Sequence, residues 1–219
     1  MNNHLLQLKS GFTVRHLLQH ERVKYLFEQF STGMWTTLFI GVLAFGATLY
    51  ELTLQAREQG VYIWFSGLLI IQAGRFQLKR LYDQHNGNPE LDSRVWKKRF
   101  AVGVVMVAAW QGGGLALAMP FISDNLRLIF HVVVISLSVG AISYLAVSMS
   151  IYMAYLLLMM VPLMGYLVYE GSSISNILAA LYLFGITGFM AGARNLNDKL
   201  LESLSLRFEN EILVQEKEA

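Results

Sequence analysis

Apolar residues in this chain do not alternate with polar ones; they run in long blocks separated by short polar intervals. A block of about 20 apolar residues is what a helix needs to cross a hydrocarbon core. Blocks of that kind occupy residues 33–52, 61–78 and 100–121, and a last one occupies 176–193. Residues 126–169 are almost continuously apolar and fit two further spans, 126–147 and 151–169, with the turn expected at Ser148, Met149 and Ser150. The pattern predicts an all-α integral membrane protein with a six-transmembrane-helix bundle over residues 33–193. Two amphipathic segments flank it.

The first, residues 1–32, sets Phe12, Leu17, Leu18, Val23, Leu26, Phe27 and Phe30 against His16, His20, Glu21, Arg22, Lys24 and Glu28. This spacing predicts a helix lying in the headgroup region, its basic residues toward anionic lipid; a partner protein is the alternative occupant. The second, residues 194–219, places Leu201, Leu204, Phe208 and Ile212 at helical intervals, while Asp198, Glu202, Glu209, Glu216 and Lys217 supply a wetted surface. A helix with so narrow an apolar stripe needs a partner, most simply its own copy in a parallel dimer; a frayed, solvated tail is the plainer alternative.

Composition supports lipid as the main solvent. The 219 residues are 55 % hydrophobic and 15 % charged, against about 25 % charged in soluble proteins, and the mean hydropathy is +0.46. With no cysteine, disulfides and thiolate metal sites are excluded. The 17 basic residues are unevenly placed: four lie in residues 1–32, seven in 75–99 and four from Arg194 on, leaving Arg57 and Arg127. Six spans put all but those two on one side, as the positive-inside rule expects, and both termini are then cytoplasmic. The first 30 residues have no secretory-signal pattern.

Candidate chemistry inside the spans is sparse. His131 is the sole histidine in a predicted span, and an ionisable residue there is a candidate ligand contact, proton relay or haem ligand; a structural histidine is the plainer reading. Gln72, Arg75 and Gln111, the last beside Trp110, are candidates for a polar pocket, against a plainer reading of inter-helix hydrogen bonding with Arg75 snorkelling to the interface. Glu51 and Glu170 are expected at the outer boundary, with Trp35, Trp64 and Trp96 in the interfacial belt. Gly112, Gly113 and Gly114 are expected to admit a neighbouring helix or a bend near Pro120. Gly188 and Gly192 form a small-xxx-small pair that, with Leu201, Leu204 and Phe208, is a candidate dimer seam and transmission path. No catalytic or metal-binding motif is present, and no cofactor is required.

The six-span pattern, the basic loop ending at Trp96, Lys97, Lys98, Arg99 and Phe100, the Trp110 and glycine cluster, Pro162 in the fifth span and the exit through Leu206, Arg207, Phe208, Glu209 and Asn210 together resemble the N-terminal membrane input regions of bacterial hybrid sensor histidine kinases. Related regions precede some diguanylate cyclases. The resemblance implies a location in the bacterial inner membrane, a homodimer, and an exit helix leading to a kinase or cyclase domain in cis. It carries no catalytic residue to this chain, which contains no phosphoacceptor, ATP-binding, GGDEF or receiver segment, so an enzyme is not expected here.

The leading expectation is a sensory and signal-transduction module responding to a stimulus such as a small apolar molecule. A six-helix transporter or channel is the alternative, and a haem- or quinone-binding redox protein a third. Nucleic acid is not an expected partner; the bilayer is.

Overall fold

The computed structural model describes residues 19–53, 59–85 and 93–218, and among them every regular element is a helix. In chain order these are α1 (19–28), α2 (Phe30–Thr53), α3 (Gln59–His85), α4 (Ser93–Ala118), a 3-10 turn at Met119–Phe121, α5 (Asp124–Leu145), α6 (Met149–Glu170) and α7 (Ser173–Glu218). Local chemistry sets the breaks. Pro120, with no N–H to give, lies in the 3-10 turn that ends α4. The Ser123 hydroxyl accepts from the Leu126 N–H and caps α5. Gly171 closes α6 at φ 70°, a left-handed conformation that glycine adopts without a Cβ clash. The α5–α6 break falls at 146–148, two residues earlier than the serine pair predicted.

The central helix is α6, packed on α4, α5 and α7, with Tyr152, Leu156, Met159, Met160 and Leu163 fully buried. On the other flank α3 lies between α2 and α4, α2 also meets α5, and α7 rests on α5 and α6. The inward stripe of α2 is built from Gly33, Thr37, Gly41, Ala44 and Thr48. Small side chains allow close approach, and the Thr37 and Thr48 hydroxyls donate to the Gly33 and Ala44 carbonyls of their own helix.

Five described helical stretches are long and apolar enough to cross a membrane: Gln19–Leu52, Ser93–Phe121, Asp124–Leu145, Met149–Glu170 and Ser173–Arg207. They are those of a multi-pass membrane protein. The second predicted span, in α3, is not among them, because Gln72, Arg75 and Gln77 dilute its second half.

Successive helices sort the charges to two ends. Glu51, Asp124, Arg127 and Glu170 lie at one, where Glu51 accepts from the Ser123 N–H at 2.8 Å and Arg127 pairs with Glu170 at 2.9 Å. Arg22, Lys97 and the α5–α6 turn meet at the other. The first is the carboxylate end of the bundle and the second its basic end.

The described part of the amphipathic lead-in differs from expectation. Val23, Leu26, Phe27 and Phe30 are buried against protein rather than left for lipid. Phe27 stacks on Tyr82 at 3.8 Å and meets Trp96 and Phe100 edge-on, so α1 prolongs α2 and closes over the basic ends of α3 and α4. Burial pushes the Tyr82 phenol up. Burial of this kind, roughly 150–250 Å² per aromatic side chain, is a large packing gain against protein. Residues 1–18, the rest of that segment, lie outside the described residues.

Candidate functional site

At the carboxylate end a cavity of about 590 Å³ opens between α2, α3 and α4, lined by Thr48, Leu52, Val61, Trp64, Trp110, Ala118 and Phe121 among others. Its walls follow from a reciprocal arrangement of two tryptophans and two glycines. Trp110 seats its indole where a Cβ on Gly67 would lie 2.2 Å from the ring, and Trp64 does the same over Gly114. The Trp110 indole N–H donates to the Trp64 carbonyl at 2.7 Å. The Trp64 indole N–H is buried with no acceptor. Such a site suits an apolar molecule of modest size.

No family model, curated protein or solved structure matches the chain. The site rests on its own geometry.

Of the residues singled out in the sequence, Trp64, Trp110, Gly113 and Gly114 line this cavity. The triple glycine divides its work: Gly112 brings α4 against α6, where a Cβ would lie 2.3 Å from the Leu158 carbonyl oxygen, Gly114 seats Trp64, and a Cβ on Gly113 would meet nothing within 4 Å.

Gln72 and Arg75 come together elsewhere. Both face inward on α3, at 6 % and 5 % exposure. The Arg75 Nη1 donates to the Gln72 Oε1 at 3.1 Å and the guanidinium lies 4.7 Å from the Phe30 ring centre. Its Nε and the Gln72 Nε2 have no partner, and no carboxylate pairs with it among the described residues. The snorkelling predicted for Arg75 is therefore not found. Its stem packs by Gly103 on α4, which turns the head into the bundle. A buried, unpaired guanidinium is costly.

Gln111 and His131 do not join that pair. Gln111 is 3 % exposed with an unpartnered Oε1. Given the packing of Gly67 on Trp110 and Gly103 on Arg75, it lies about five residues, or roughly 7 Å, along the axis from Gln72. His131 is buried between α5 and α7, its Nδ1 2.8 Å from the Tyr182 hydroxyl. The pocket anticipated for Gln72, Arg75 and Gln111 is thus two separate places, and His131 stands apart from both.

The candidates on α7 part as well. Gly188 and Gly192 are exposed and a Cβ on either would meet nothing within 4 Å. Leu201 and Leu204 are half-buried, and the Phe208 side chain lies outside the described residues. Because α7 is unbroken from Ser173 to Glu218, Gly188 and Leu204 stand about 160° apart around its axis at 100° per residue. One straight seam cannot contain both.

Tyr182 and the small stripe of α2 were not singled out from the sequence, and Trp64 was marked only as a belt residue. The stripe's four-four-three-four spacing was a usable signal; Trp64 and Tyr182 read as ordinary belt and core aromatics.

Proposed function

We propose that this chain is a membrane sensory input and signal-transduction module. It crosses a bacterial inner membrane six times with both termini cytoplasmic, acts as a homodimer, and relays occupancy of the cavity at the carboxylate end to a kinase or cyclase domain in cis. The observation that carries the proposal is α7, a single helix of 46 residues. It begins at the carboxylate end, runs against α5 and α6, and continues past the basic end. There Asn197 donates to the Ala146 carbonyl, tying the exit to the α5–α6 turn. A continuous helix transmits a small rotation or shift of its packed half to its free half, which is how a bundle biases a distant partner between two packings.

Support for α3 as the sixth span comes from its orientation. Ile63, Ile70 and Phe76 are exposed at 67 %, 73 % and 60 %, while Gln72 and Arg75 point inward. A helix facing water would reverse this; one facing lipid keeps its polar groups inside. Five spans would also divide the basic segments between the two sides, against the positive-inside bias.

Transport finds less support, because Gln72 with Arg75, Gln111 and His131 do not line a common path.

The ligand reading is tested by titrating the full chain in nanodiscs with a brominated alkane and following tryptophan fluorescence. Saturable quenching that disappears in Ala118→Phe, which fills the cavity, is the expected outcome. Quenching that is linear in the wild type and unchanged in the variant contradicts it.

A further inference from the structure

We propose that the basic end holds a phosphate group in the cleft between α1, the start of α4 and the α5–α6 turn. A cavity of about 260 Å³ lies there, and its wall carries Arg22, Lys97 and Ser148. All three offer donors. The nearby ion pairs, Lys24 with Glu21 and Lys79 with Asp83, leave both cavity cations out. The Arg22 Nε is buried without an acceptor.

Ser148 is the second, independent observation. It occupies the N-cap position of α6, where a serine hydroxyl ordinarily accepts from the first turn, yet it makes no such bond. The side chain is 5 % exposed and its Oγ has no partner. A buried hydroxyl left free in this way costs stability unless something outside the chain satisfies it. The 22-residue α6 begins at Ser148, so its N-terminus brings the positive end of the helix dipole to this corner as well.

Two like charges brought to one cavity repel each other. An anion reverses the sign of that interaction and accepts from every group present: a guanidinium, an ammonium, a hydroxyl and a helix N-terminus. That donor set fits a tetrahedral phosphate. Two sources share the chemistry, the phosphodiester of an anionic lipid and a soluble phosphate. The cleft's place at the basic end of the apolar helices brings it to headgroup depth, where anionic lipid is at hand. The proposal does not depend on the sensory role.

The test uses the full chain and compares wild type with Arg22→Gln, Lys97→Gln, Ser148→Ala and the double cation variant, with Lys79→Gln as a control at the same end. Native mass spectrometry after exchange from mixed phosphatidylglycerol and phosphatidylcholine nanodiscs reads the lipid arm; thermal stabilisation by inorganic phosphate in neutral detergent reads the soluble arm. Each cation variant is expected to weaken binding about fivefold and the pair roughly twentyfold, with the control unchanged. Selective retention of phosphatidylglycerol that falls in this order assigns a lipid headgroup. Stabilisation by inorganic phosphate that falls in this order, without lipid selectivity, assigns a soluble phosphate. Binding of neither probe, or binding that the single variants leave at the wild-type level, overturns the proposal; the single variants and Ser148→Ala decide the matter should the double variant fail to fold.

Discussion

A methyl group added at Gly112 would lie 2.3 Å from the Leu158 carbonyl oxygen and 2.9 Å from the Met159 Cα, both of them backbone that cannot swing aside. Gly112→Ala is therefore expected to cost about 1–3 kcal/mol, the usual range for overpacking, seen as a lower Tm in detergent. Gly113→Ala, with open space around it, is expected to leave Tm unchanged. Arg75 makes the opposite prediction. Its charge is buried with one hydrogen bond to Gln72 and no ion pair among the described residues. Arg75→Met keeps most of the stem and removes the charge, so Tm should hold or rise by the equivalent of about 1 kcal/mol; a fall of that size would mean the guanidinium has a stabilising partner. The sequence marked both residues as unusual for a span. It did not reveal which way Arg75 turns, because that depends on the gap left by Gly103 on another helix.

Among the elements, the apolar blocks were legible as helices because twenty consecutive apolar residues have one economical solution in lipid. Boundaries followed where a residue imposes them, as Pro120 and Gly171 do, and slipped by two residues at the serine-rich α5–α6 turn. Faces were harder to read. α1 was expected to give its apolar side to lipid, yet Phe27 is fully buried on Tyr82, Trp96 and Phe100, partners 55 or more positions away in the chain. On α7, the glycine pair and the leucine stripe were each recognisable, but their opposition appears only once the helix is unbroken between them. The tie from Asn197 to the Ala146 carbonyl gives this scale its prediction. Asn197→Ala removes one hydrogen bond worth about 1 kcal/mol, so amides of residues 194–200 should exchange about fivefold faster while those of α6 are unaffected.

For the molecule as a whole, topology and cavity are the two claims to test. Single cysteines in place of Arg57, Asn88 and Glu216, probed with a membrane-impermeant maleimide, should label from one side at position 57 and from the other at 88 and 216. If α3 does not cross, positions 57 and 88 label from the same side. The proposed topology rests on the charge distribution, since Lys and Arg positions do not depend on how the helices pack. The cavity was not, because Trp64 and Trp110 meet only through Gly67 and Gly114 across the α3–α4 pair.

The central claim is that filling the cavity at the carboxylate end alters the exit of α7 at the other. It is tested most directly by disulfide crosslinking of single cysteines from Asn195 to Phe208 in native membranes, with and without Ala118→Phe, using Leu128→Phe on the exposed face of α5 as control. The account predicts a helical periodicity in yield peaking at Leu201 and Leu204, with Ala118→Phe shifting that pattern by at least one position and Leu128→Phe leaving it in place. A yield without periodicity, or the same pattern whether the cavity is open or filled, would contradict it.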